Sequence, residues 1–284
     1  MSNYTVREHF IPQFIISNFA DPNNLIGFTN ITSHPIKTIE GKSENVFCQS
    51  DLYEFTNEDG SYFLRNGTEN KFANIEGMLS SELHRIISKI ESDKILDGKD
   101  DTILALLVSL QLVRIPKMKD IVFNNQIPTI IPSDKPIFDN AIYLMAIDSI
   151  DKGLQYLDNN GLPISDFGKE KLGKRSLIDD VACFILRDCS FYFVKTTNIH
   201  FVLSDNPILI GQFDDALYIF PVTPQYAIVC TRSDKIDERN DGRVHIIEDS
   251  MTDTINKLMI ENTDRIVVYN LADKDYVIKT LLAH

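Results

Sequence analysis

The sequence predicts an α+β fold: a helical middle over about residues 69–188, with β-rich N- and C-terminal parts that pack together. Three observations predict it. Short apolar runs separated by turn clusters fill residues 1–66. From about Glu69 the apolar spacing changes to threes and fours. After about residue 189 short β-branched and aromatic runs return. No internal repeat or linker interrupts the 284 residues. They read as a single α+β domain, 1–284, with parts 1–66, 67–188 and 189–284.

The opening stretch Arg7 to Phe19 is apolar at Phe10, Ile11, Phe14, Ile15, Ile16 and Phe19, with His9, Gln13 and Asn18 threaded through it. Pro12 makes its first half extended or a helix start. Asp21-Pro22-Asn23-Asn24 is a turn by composition. The runs Leu25–Ile31, Ile36–Ile39, Val46–Cys48, Leu52–Phe55 and Tyr62–Leu64 predict a small antiparallel sheet. Phe72, Ile75, Leu79, Leu83, Ile86 and Ile90 form the stripe of an amphipathic helix. Asp100-Asp101 opens a second helix, apolar nearly all round and stopped by Pro116. A loop over 124–136, a helix from Ile137 to Leu157 and another from Leu177 to Leu186 follow. The last third offers strands at Phe191–Lys195, Phe201–Leu203, Leu217–Phe220, Tyr226–Cys230, Val244–Ile247 and Ile266–Tyr269. Ser250 is placed to cap a helix over Met251–Glu261. Tyr276–Leu282 is a short helix or strand.

The totals exclude several classes. Twenty-eight basic against 41 acidic residues give a charge of −13. That argues against broad non-specific nucleic-acid binding, which needs a cationic surface. No apolar run reaches the roughly 18–20 residues of a membrane span, and the N-terminus lacks the pattern of a signal peptide. The four cysteines show no CxxC spacing and read as small buried hydrophobes. A cytoplasmic protein with no membrane association is expected. Zinc-spaced Cys/His clusters, HExxH, EF-hand, P-loop, GxGxxG and GxSxG patterns are all absent.

Two places offer chemistry. Glu69 and Glu76 lie seven residues apart beside the stripe of the first long helix. Gln111 and Arg114 share a face of the buried one. A carboxylate or guanidinium facing a core needs a partner. Glu76 and Arg114 therefore form a structural salt bridge, or Glu69, Glu76 and Arg114 line a polar site. The second place is Phe201-Val202-Leu203-Ser204-Asp205-Asn206-Pro207, an apolar strand running into turn residues. It is a local turn, or a strand end that presents Asp205 to a ligand or metal.

His9-x-x-Pro12-Gln13-Phe14 with Asn18-Phe19-Ala20 resembles the start of the family catalogued as domain of unknown function 4238. The Glu69/Glu76 helix, the Leu110 to Pro116 run, the Phe201 to Pro207 strand, Phe220-Pro221-Val222-Thr223-Pro224 and the Asn262 to Asn270 step resemble its later parts in order. Val113-Arg114-Ile115-Pro116 departs from that pattern, which has a Thr before the proline; Arg114 is kept. The resemblance covers nearly the whole chain and brings no reaction with it. It implies that His9, Gln13, Glu69, Glu76, Gln111, Arg114, Ser204, Asp205 and Asn206 belong to one constellation.

Two functions follow as expectations. The first is a metal-dependent hydrolase of phosphodiester or nucleotide bonds, nuclease-like and phage- or defence-related. In it Glu69, Glu76 and Asp205 hold Mg²⁺ or Mn²⁺. His9, Gln13, Arg114 and Asp205 form the catalytic set, with His9 as acid or base and Arg114 on a phosphate oxygen. Gln111, Ser204 and Asn206 bind the ligand, a small molecule or a nucleic acid. The second is a non-enzymatic interaction protein in which the same residues form a buried structural network.

Overall fold

The computed structural model describes residues 7–124, 134–171, 175–213, 216–233 and 242–283. In chain order the elements are β1 (Arg7–His9), α1 (Gln13–Asn18), β2 (Leu25–Asn30), β3 (Thr38–Lys42), β4 (Cys48–Ser50), β5 (Phe55–Thr56), β6 (Tyr62–Phe63) and α2 (Gly67–Glu91). There follow α3 (Gly98–Arg114), α4 (Pro116–Asn124), α5 (Lys135–Ile147), α6 (Ile150–Asn159), α7 (Asp166–Lys171) and α8 (Leu177–Asp188). The last part holds β7 (Cys189–Lys195), β8 (Leu203–Ser204), β9 (Leu209–Phe213), β10 (Ala216–Pro221), β11 (Tyr226–Arg232), β12 (Val244–Ile246), α9 (Asp249–Glu261), β13 (Ile266–Tyr269) and α10 (Lys274–Ala283). The fold is α+β, with α2 to α8 forming the helical middle.

The two ends meet in one sheet, ordered β3-β2-β13-β8. Val268 of β13 stands opposite Phe28 of β2 on one side and Leu203 of β8 on the other. A second sheet, β12-β7-β11-β10-β9, belongs wholly to the C-terminal part. The early strands do not form the one small sheet expected of them. They divide among a β1–β4 pair, a β5–β6 pair and the shared sheet. Sequence runs specify strands, but partners are chosen by which apolar faces meet in space.

α3 is the buried strut. Asp97 caps it, accepting from the N–H groups of Lys99 (2.9 Å) and Asp100 (3.2 Å), while Asp100 accepts in return from Asp97 N–H at 2.9 Å. Ile103, Leu104, Leu107, Val108, Leu110 and Val113 are buried, and the helix packs against α2, α4, α5, α8 and β7. It ends at Arg114 because Ile115, before a proline, is extended. Pro116 does more than stop α3: it opens α4, where a missing N–H costs nothing.

Other boundaries differ from expectation. The stretch 137–157 is two helices, because Asp148 leaves the helical region (φ −117°, ψ −81°) and Ser149 caps α6. Asp148 is held there by the Thr68 hydroxyl and Lys71 ammonium, each at 3.2 Å. Ser250 does not cap α9; Glu248 occupies that position, with no side-chain cap bond. β9 and α7 were not anticipated, and the terminal segment is helical. Most of the loop expected at 124–136 lies outside the described residues. Cys189 and Cys230 are buried as expected, whereas Cys183 is exposed and Cys48 half-buried. No described helix is long and apolar enough to cross a membrane.

Candidate functional site

Arg114 is the hub. It is the last residue of α3 and fully buried, at 0% exposure. One terminal nitrogen, Nη1, donates to Glu76 Oε1 on α2, and the other, Nη2, donates to the backbone carbonyl of His9. Nε donates to the Tyr53 hydroxyl at 3.3 Å, and that hydroxyl lies 3.1 Å from the Arg114 carbonyl. The guanidinium also stacks over Phe72, 4.6 Å from the ring centre. Burial opposes the charge, but Tyr53 and Glu76 more than offset it and hold Arg114 protonated. The salt bridge weighed from the sequence is therefore present. It ties α2 and α3 to the opening strand through a main-chain carbonyl, a contact no side-chain pattern reveals.

His9 and Glu69 flank this hub. The His9 Nε2 lies 3.2 Å from the Glu44 carbonyl, so Nε2 carries the proton and Nδ1 the lone pair. Burial lowers the imidazole pKa below its ordinary 6.5, with Glu76 opposing and Arg114 and Arg7 adding to the shift. The ring is neutral at pH 7. Glu69, on the first turn of α2, is half-buried. Its Oε2 is buried with no hydrogen-bond partner. Burial raises its pKa to about 7; Arg114 opposes the rise, while Glu76 and Glu54 add to it. Glu76, 17% exposed, keeps an opening to solvent.

Glu8 was missed. It alternates with His9 on β1 and is fully buried. Oε2 accepts the Tyr53 N–H at 2.7 Å, while Oε1 has no partner. Burial lifts its pKa to about 7; the Tyr53 bond opposes this, and the charges of Glu69, Glu54 and Asp51 add to it. The Tyr143 hydroxyl is likewise buried and unpartnered. The one available signal for Glu8 was its place just before the strongly apolar stretch that begins at Phe10.

The remaining expected residues divide. Gln13 donates to Ser43 Oγ at 2.9 Å, and its Oε1 is buried without a partner. Gln111 donates to the Phe10 carbonyl at 3.1 Å, one residue along from the carbonyl that Arg114 takes. Ser204 Oγ bonds the Asn206 carbonyl at 2.8 Å. Asp205 accepts three backbone N–H groups, from Asp264 (2.9 Å), Arg265 (2.7 Å) and Ile266 (3.0 Å). Asn206 and Asn262 each donate to the other's carbonyl, at 2.9 and 3.0 Å. The Ser-Asp-Asn run thus locks β8 onto the step from α9 to β13.

Glu69 and Glu76 share α2 beside Arg114, whereas the carboxylate of Asp205 is spent on the main chain of that later step. Among the described residues no group of three His, Cys, Asp or Glu side chains is arranged to hold a metal ion. The hub therefore brings Glu69 and Glu76 together beside His9, and neither these three nor the expected trio with Asp205 makes a three-ligand metal cluster. The sequence model of a family described as "Protein of unknown function (DUF4238)" matches residues 7–273, nearly the whole chain. No curated protein and no solved structure matches it.

Proposed function

The chain belongs to the DUF4238 family, whose description carries no activity, and from that premise we propose that the Arg114 hub serves a metal-dependent hydrolase of phosphoester bonds. The observation that carries this is Glu69 Oε2, a buried carboxylate oxygen without a partner beside a fixed cation. Buried polar groups are normally satisfied, and an orphaned one calls for an explanation, of which an ion or water that completes it is one. Glu69 and Glu76 are the carboxylates that would hold Mg²⁺ or Mn²⁺, since Mg²⁺ takes one or two carboxylates and leaves its other positions to water and phosphate. When bound, the cation supplies polarisation of a phosphoryl oxygen.

The chain's own residues do the rest. His9, with its proton fixed on Nε2, presents Nδ1 as the proton acceptor for an attacking water. Arg114 acts by holding Glu76 and the β1 backbone in place, because its nitrogens are already engaged with protein groups. The −13 charge favours a small nucleotide over a long nucleic acid as substrate.

The test is turnover of a panel of nucleotides and a short RNA with Mg²⁺ or Mn²⁺, run with Glu69→Gln and His9→Asn. The expected result is metal-dependent release of product that falls about 100-fold or more in either folded variant. Calorimetric binding of Mg²⁺ or Mn²⁺ is expected to vanish in Glu69→Gln. Wild-type protein that neither binds cation nor turns over any of the panel overturns the reading.

A second reading has its own support. The bonds of Arg114 and Asp205 are all to protein: Arg114 joins the opening strand to the helical middle, and Asp205 joins the end of β8 to the α9–β13 step. In that reading the chain is a non-enzymatic interaction protein and the hub is a structural network.

A further inference from the structure

We infer that a second cleft, bounded by α3, α4 and the β8–β9 segment, binds a small amphipathic anion carrying one N–H or O–H donor. The cleft encloses about 300 Å³, the lower end of the size of small-molecule sites. Its walls are apolar, with Leu112, Ile115, Met118 and Ile208 among them. Ile121 and Ile210 stand at its rim, 50% and 57% exposed. Large aliphatic side chains facing water around a concavity mark a surface that something apolar covers.

Two polar features define the rest of the ligand. Gln111 lines the cleft at 1% exposure, and its Oε1 has no partner while its Nε2 is committed to the Phe10 carbonyl. A buried acceptor left unmade costs about 1–3 kcal/mol, so the complementary group is a donor. Among the described residues, Lys117 is the single charged one lining the cleft. In a chain of net charge −13, a lone ammonium at an apolar cleft selects an acidic group. Asn206 and Asn262 hold one wall rigid through their reciprocal bonds, so the pocket is preformed. This inference does not depend on the hydrolase reading.

The probe is 1-anilinonaphthalene-8-sulfonate, which combines apolar rings, one N–H and one sulfonate. It is titrated by fluorescence into the intact protein, with near-UV circular dichroism and a cooperative melt establishing that each sample is native. Saturable binding of one probe per chain is expected. Ile210→Asp and Lys117→Glu, both at exposed positions, are each expected to raise the Kd about tenfold or more with the circular dichroism unchanged. Absence of saturable binding in the native wild type, or wild-type affinity retained in both variants, overturns the site. Weakening by Ile210→Asp alone overturns the anionic assignment.

Discussion

Glu8 shows how a single buried carboxyl sets a pH dependence. Its folded pKa, about 7, lies above its ordinary value of 4.5. The folded chain therefore binds an extra proton between those values, and stability falls as pH rises from about 4.5 to 7, with the penalty fully present above. Glu8→Gln keeps an acceptor for the Tyr53 N–H and removes the charge. It should gain about 1–3 kcal/mol over wild type at pH 8 and much less at pH 4.5, measured by urea unfolding at both pH values. Equal effects at the two values would mean the carboxyl is not the cause. Arg114→Met should cost about 3 kcal/mol or more by the same measurement, because it strands the Glu76 carboxylate and the His9 carbonyl. The pairing of Arg114 with Glu76 was legible from helical spacing. The use of the His9 carbonyl was not, since main-chain contacts leave no mark on residue type. Glu8 was hidden for a related reason: on a three-residue strand a glutamate reads as solvent-facing.

At the scale of elements, α2 followed from its stripe and α3 from its near-continuous apolar run and the proline that stops it, although the cap is Asp97 rather than the Asp100-Asp101 pair expected to open the helix. The break at Asp148 was not legible. It depends on Thr68 and Lys71 reaching across from α2. The strand end at Ser204-Asp205-Asn206 offered a turn or a ligand site, and the geometry of Asp205 is that of a brace across the α9–β13 step. Asp205→Ala removes the acceptor for three N–H groups and should lower stability by about 3 kcal/mol. Amide hydrogen exchange should quicken first at 264–266. Faster exchange confined to α2 instead would contradict this brace.

Across the whole molecule, the chain closes on itself. β2 from the start and β13 from the end pair in one sheet, while β1 is pinned by Arg114 at the end of the central helix. The meeting of the ends was legible as an architectural inference from two β-rich ends around a helical middle; the partners were not, because register is set by tertiary faces. The pinning of β1 puts His9, from the opening strand, beside Glu69 and Glu76, both on α2, around the buried Arg114 guanidinium. The proposal to be tested is that Glu69 and Glu76 hold a divalent cation, with His9 beside them as the base. The most direct test is paramagnetic broadening of backbone amide signals by Mn²⁺ in the deuterated, ¹⁵N-labelled protein. The account predicts saturable loss of signal centred on residues 8–10 and 69–76, absent in Glu69→Gln. Broadening centred elsewhere, or none at saturating Mn²⁺, would contradict it and leave the hub a structural network.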